Sequence, residues 1–187
     1  MKACPQTDTQ SVYEHGVAVS LKYKELLQHL RTNSPITGWR LPEWINHPFI
    51  LEKLLPDDVM ETYHIYHDCG KPYCIEYDSE GKRHFPDHAV VSYERWMSCA
   101  AETPDHEQIG NLILMDMDLH LCKPSSAHFI ASRPEAISLL VTALCEIHAN
   151  ADMFGGIEST SFKIKWKHLN RVGKSLLTAM EKQNEIN

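Results

Sequence analysis

Apolar residues recur every three or four positions along most of the chain, and that period commits it to α-helices packed on one another. Val12, Val19, Tyr23, Leu26, Leu27 and Leu30 form the first stripe, within about Ser11 to Leu30. Val59, Met60, Tyr63 and Tyr66 form a second, stopped by Gly70 and Pro72 in the manner of a C-terminal glycine and a following proline. Val90, Val91, Trp96, Met97 and Ala100 form a third, and a further helix is expected over roughly Asp105 to Leu119, with Ile109, Leu112 and Ile113 inside. The best-defined helix carries Ile137, Leu140, Val141, Leu144 and Cys145; Ser132 and Glu135 before it have capping-box spacing, and Pro134 suits a first turn. The last, about Ile164 to Glu181, buries Trp166, Leu169, Gly173, Leu176, Leu177 and Met180. Ile75, Tyr77 and Phe85 flank the turn-like Asp78-Ser79-Glu80-Gly81, which predicts a short β-hairpin. The expected fold class is all-α with that one hairpin.

A chain of 187 residues suits one domain over residues 1–187, with a core over about 10–155 and a C-terminal helix over about 164–182 packed on it. No apolar run approaches the roughly 20 residues needed to span a bilayer, so no membrane partner is expected. No apolar block follows Met1-Lys2-Ala3-Cys4-Pro5 as in a signal peptide. The six cysteines (Cys4, Cys69, Cys74, Cys99, Cys122, Cys145) show neither paired zinc spacing nor a disulfide pattern. They read as small core hydrophobes of a reducing compartment, and the expected location is cytoplasmic. A net charge of −7 argues against sequence-blind nucleic-acid binding. It leaves room for a phosphorylated substrate where a metal supplies local positive charge. The compositional anomaly is histidine, with twelve copies.

Those histidines fall at helix ends beside carboxylates. His67-Asp68 closes the second apolar stripe, and an imidazole next to a carboxylate offers a divalent metal two ligands; the pair by itself also fits a helix ending in polar surface residues. Lys71 would set a fixed positive charge near any bound anion. His15 lies on the first apolar stripe and points inward, as either a core histidine or a ligand. His148 and Asp152 continue the stripe of the best-defined helix, and a carboxylate on a buried face needs a partner. His84 and His88 flank the start of the third helix, and Asp116, Asp118 and His120 gather at the end of the fourth. Residues 31–50 hold Pro35, Gly38, Pro42 and Pro48 with Trp39, Arg40 and Trp44, which fits either a flap over a site or a packed irregular connection. Lys163, Lys167, Arg171 and Lys174 share one face of the last helix, either solvated or guiding an anionic substrate.

The ordered set His15, His67-Asp68 and Asp152 on successive helices resembles the HD superfamily of metal-dependent phosphohydrolases. Val12-Tyr13-Glu14-His15-Gly16-Val17-Ala18-Val19, His67-Asp68-Cys69-Gly70-Lys71-Pro72 and Ala149-Asn150-Ala151-Asp152 are similar to its three motif segments. Leu54 to Val91, with Ser79-Glu80-Gly81-Lys82 and Phe85-Pro86-Asp87-His88, most resembles the HD module of bacterial tRNA nucleotidyltransferases. These residues hold no nucleotidyltransferase head, so nucleotide addition is not implied.

The resemblance implies an HD-domain helical bundle with the hairpin inserted after the His-Asp motif. It implies one divalent ion held by His15, His67, Asp68 and Asp152, with Asp68 bridging to a second; His88 and His120 are candidate ligands for that ion and Asp118 the alternative. Mixed imidazole and carboxylate donors suit Mn, Ni, Co, Fe or Zn better than Mg. The implied chemistry is phosphoester hydrolysis by metal-activated water, with Asp68, Lys71, His84 and His88 as catalytic candidates and Lys71, Trp39 and Arg40 as substrate-binding candidates. The expected substrate is a phosphorylated nucleotide or an RNA end carrying a 2′,3′-cyclic phosphate or a terminal monoester. The alternatives are a 5′-nucleotidase on free (deoxy)nucleotides and a non-catalytic nucleotide-binding module.

Overall fold

A computed structural model describes residues 1–186, which are mostly helical. In chain order the helices are α1 (Val12–Thr32), α2 (Pro48–Glu52), α3 (Asp57–Tyr66), α4 (His88–Cys99), α5 (His106–Leu114), α6 (Asp118–Leu121), α7 (His128–Ala131), α8 (Ala136–Ala149) and α9 (Thr160–Ile186). Strands β1 (Glu76–Tyr77) and β2 (Arg83–His84) pair antiparallel, Glu76 opposite His84 and Tyr77 opposite Arg83. The all-α expectation with one short hairpin holds. None of the described helices is long and apolar enough to cross a membrane. The chain gathers into two compact units: Met1–Ser20 with Pro56–Met117, and Leu21–Leu55 with the chain from Asp118 onward.

In the first unit α1 begins at a capping box. The Ser11 N–H donates to Glu14 Oε2 at 2.7 Å, and the Glu14 N–H donates back to Ser11 Oγ at 3.2 Å. This start, legible as Ser-x-x-Glu, fixes the register that turns Val12 and His15 inward, both buried. Gly16 follows because α3 passes very close: a Cβ there would stand 2.6 Å from the Ile65 carbonyl oxygen and 2.7 Å from that of His64. Helices α3 and α4 each pack on α5. Helix α3 already ends at Tyr66, and Gly70, expected to stop the helix as a C-terminal glycine, has φ −81° and so lacks the left-handed conformation of such a cap. Its lack of a side chain instead lets the Asp68–Gly70 turn lie against α4, where its N–H donates to Ser92 Oγ at 2.8 Å.

In the second unit α8 is buried at every residue from Ala136 to His148, so it is a central helix and not a one-faced one. Around it lie α2, α6 and α9. The capping box expected at Ser132 and Glu135 does not form. Ser132 keeps helical backbone angles at the end of α7, and Glu135 makes no side-chain cap, so neither offers the extended N-cap geometry. The helix expected over Asp105 to Leu119 stops at Leu114, with Asp118 and His120 on the separate α6. On α9 the buried stripe is Phe162, Leu169, Val172, Leu176, Leu177 and Met180, with Gly173 seated on the Trp44 ring.

Residues 31–50 are a packed connection of this second unit. The Trp39 ring stacks on His148 at 4.2 Å, Arg40 lies over Trp166 at 4.9 Å, and the Trp166 indole N–H donates to the Arg40 carbonyl at 2.6 Å. His148 donates from Nδ1 to the Leu144 carbonyl at 2.8 Å, while its Nε2 accepts from the Arg40 N–H at 3.0 Å. Acceptance at Nε2 requires the neutral ring. Burial, above all, pushes its pKa down to about 4 from the ordinary 6.5.

Two outcomes follow. Gly16→Ala forces α1 and α3 apart and lowers stability by about 1–3 kcal/mol, measurable as a lower urea midpoint. The neutral His148 lowers stability as pH falls: between pH 6.5 and about 4 the unfolded chain binds a proton that the native site refuses. That contribution, intact above pH 6.5 and about 3 kcal/mol in full, is lost by pH 4 and then constant. Urea titrations at pH 7, 6 and 5 should show a shallower decline for His148→Gln, whose amide oxygen can still accept from Arg40.

Candidate metal centre

The turn after α3 sets Asp68 at the centre of the first unit, with its side chain 2% exposed. Four cationic or ligating groups converge on this one carboxylate. Lys71, three residues on, donates from Nζ to Oδ2 at 2.6 Å. His67 Nε2 lies 3.2 Å and His15 Nε2 3.9 Å from the same oxygen. His88 Nε2 lies 3.6 Å from Oδ1. Burial alone would raise the Asp68 carboxyl, but the charges of His67 and Lys71 hold it well below the usual range.

Backbone carbonyls orient two of the imidazoles. His67 donates from Nδ1 to the His64 carbonyl at 2.7 Å, and His88 from Nδ1 to the Phe85 carbonyl at 3.1 Å. Each ring therefore turns its Nε2 towards Asp68, the arrangement in which a protein fixes a histidine as a metal ligand. Two lone-pair atoms 3.2 Å apart, His67 Nε2 and Asp68 Oδ2, repel unless a cation, proton or metal, lies with them. Asp68 Oδ1 is buried without a hydrogen-bond partner among the described residues. His15, His67 and Asp68 each offer a ligand atom within 4.8 Å of the other two, all buried. Such a set of donors can hold a metal ion.

Asp116, which sequence reasoning set beside Asp118 and His120 without choosing it, is the only buried one of the three, accepting the Tyr63 hydroxyl at 2.5 Å. One of its oxygens lies within 4.8 Å of a His67 nitrogen. Its signal was its position one turn past the apolar residues of α5. Gln6 was missed altogether: its Oε1 accepts from Lys71 Nζ at 3.0 Å, and nothing in Pro5-Gln6-Thr7 marks it.

Other expected site residues have partners or surroundings of their own. His84 is exposed and pairs with Asp78 Oδ2 at 2.8 Å across the hairpin, with no hydrogen bond or ion pair to Asp68. His120 belongs to the second unit, where its Nε2 meets Glu146 Oε2 at 2.6 Å. Glu146 was overlooked because it sits in the apolar run Leu144-Cys145-Glu146-Ile147; a charge inside such a run was the available clue. Asp152 does not continue the buried face of α8. That helix ends at Ala149, and Asp152 opens a short 3-10 turn in the second unit with its side chain exposed. Trp39 and Arg40 are engaged with His148 and Trp166, and Trp44 is buried against Gly173, so their side chains serve packing. Lys163 and Lys174 on the basic face of α9 pair with Glu158 and Glu43.

No protein-family model, curated protein or solved structure matches the chain. Equilibrium dialysis with Mn or Zn should find one tight site per chain, weakened at least tenfold in Asp68→Asn and His67→Gln, the loss seen even when outer partners of a ligand are removed. His84→Gln should bind as the wild type does.

Proposed function

We propose that the chain is an HD-type metal-dependent phosphohydrolase that cleaves a phosphoester of a nucleotide or an RNA end. The observation that carries this reading is the convergence of His15, His67, His88 and Lys71 on buried Asp68. His15, His67 and Asp68 would hold the ion, with Asp116 beside His67 as a further carboxylate. The metal, when bound, supplies a Lewis acid and a water acidic enough to attack phosphorus at neutral pH.

The protein's own groups do the rest. Lys71, tied to Asp68 Oδ2, neutralises charge that develops on the phosphoryl oxygens. His88 is half-buried, and burial lowers its pKa, so the ring is neutral near pH 7 and can take a proton on Nε2. The Phe85 carbonyl keeps that nitrogen facing the carboxylate. Catalytic roles fall to Asp68, Lys71 and His88; His84, engaged with Asp78, drops out.

A second reading is a non-catalytic nucleotide-binding module. Its support is the 2.6 Å Lys71–Asp68 pair, which neutralises the carboxylate without any metal. A third, a 5′-nucleotidase, shares every residue above and differs only in substrate.

The test is phosphate release by protein stripped of metal and re-supplied with Mn, Ni, Co, Zn or Mg. The substrates are 2′,3′-cyclic, 2′-, 3′- and 5′-nucleotides and a generic phosphodiester. Turnover should require metal and fall at least about hundredfold in Asp68→Ala and in His88→Gln, while His84→Gln keeps its rate. Activity surviving Asp68→Ala would sink the proposal, and metal binding without turnover would favour the binding module.

A further inference from the structure

The turn that presents His67 and Asp68 to the metal centre shows Tyr66 and Cys69 to a second place in the same unit. They line a cavity of about 630 Å³ together with Tyr73, Arg95, Trp96 and Asp105. Neither His67 nor Asp68 takes part in it. The volume lies in the range of small-molecule sites, which are mostly apolar with a few fixed polar groups.

Three aromatic rings stand on its wall, the buried Trp96 and two tyrosines that are open to solvent. Tyr66 is 40% and Tyr73 62% exposed, although both are large side chains that burial would favour. Tyr66 stands 5.8 Å from the Trp96 ring, whose own position is fixed by its indole N–H donating to the His106 carbonyl at 2.9 Å. Arg95 lies 4.0 Å over the face of Tyr73. No described carboxylate forms an ion pair with Arg95, so its fork of donors is held in place by a ring and left to the solvent side. Of the two acids on the lining, Asp58 accepts from the Val59 N–H at 2.9 Å, and Asp105 precedes α5.

We propose that this cavity binds a planar aromatic molecule bearing one anionic group. The ring lies among Tyr66, Tyr73 and Trp96, where stacked or edge contacts add to the apolar area removed from water. The anion meets Arg95, whose planar guanidinium grips a carboxylate, sulfonate or phosphate with two parallel hydrogen bonds. Asp105 accepts from a ring N–H where the ligand has one. Capture here needs no metal, so the site stands apart from the phosphohydrolase reading.

Naphthalene-2-sulfonate tests the assignment on the full chain, followed through the four indole N–H resonances of Trp39, Trp44, Trp96 and Trp166. A saturable shift confined to Trp96 is expected, with Trp96→Phe identifying the resonance. Arg95→Glu, at an exposed position, should weaken binding tenfold or more. Uncharged 2-naphthalenemethanol should bind wild type and Arg95→Glu alike. Shifts at all four indoles, no saturation up to millimolar probe, or equal sulfonate affinity in Arg95→Glu would each overturn it.

Discussion

The first unit is arranged around the cost of burying one carboxylate. Removing Asp68 from water is unfavourable by several kcal/mol unless cations and hydrogen bonds replace its hydration. Two of its partners come from its own turn, His67 before it and Lys71 one turn later. The others come from far along the chain, His15 on α1 and His88 on α4. The carboxylate is therefore stable only when three separate helices are in place. The same convergence makes it able to hold a metal, because groups that can stabilise an anion by proton or charge can share it with an ion.

Close backbone approach makes that convergence geometrically possible. Gly16 stands one residue after His15 and lets α1 lie on the carbonyls of His64 and Ile65. One of those carbonyls, that of His64, orients the His67 ring. Gly70 stands two residues after Asp68 and lets the turn lie on α4, the helix that begins with His88. Each glycine thus sets a distance between ligating side chains. In the second unit a polar contact plays a comparable part: the neutral His148 ring ties the irregular chain at Arg40 to the fully buried α8.

Much of this was legible in the chain. The helical period placed α1, α3, α4, α8 and α9, and Asp78-Ser79-Glu80-Gly81 placed the hairpin, because these signals are local. His15, His67, Lys71 and His88, which the family resemblance singled out together with Asp68, meet at its carboxylate. The misreadings have physical causes. Asp152 was carried along the α8 period past the point where the helix stops, so its expected buried partner vanished with the helix. Gly70 was read as a C-terminal glycine stopping the helix, whereas it lets the turn lie on the α4 backbone. Ser132 and Glu135 matched a cap in spacing but not in backbone conformation, whereas Ser11 and Glu14 match in both.

The sequence by itself determined the helices, the hairpin and the types of side chain offered at each helix end, since period, turn residues and ligand chemistry are properties of neighbouring residues. Only the tertiary structure decided which of twelve histidines share a carboxylate. It turned His84 to Asp78 and His120 to Glu146, while His88 stayed on Asp68. It also spent Trp39 and Arg40 on packing and left Arg95 over Tyr73 beside a cavity. The reason is range: spacing along the chain fixes contacts a turn or so away, and a partner tens of residues distant is fixed by which backbones can touch.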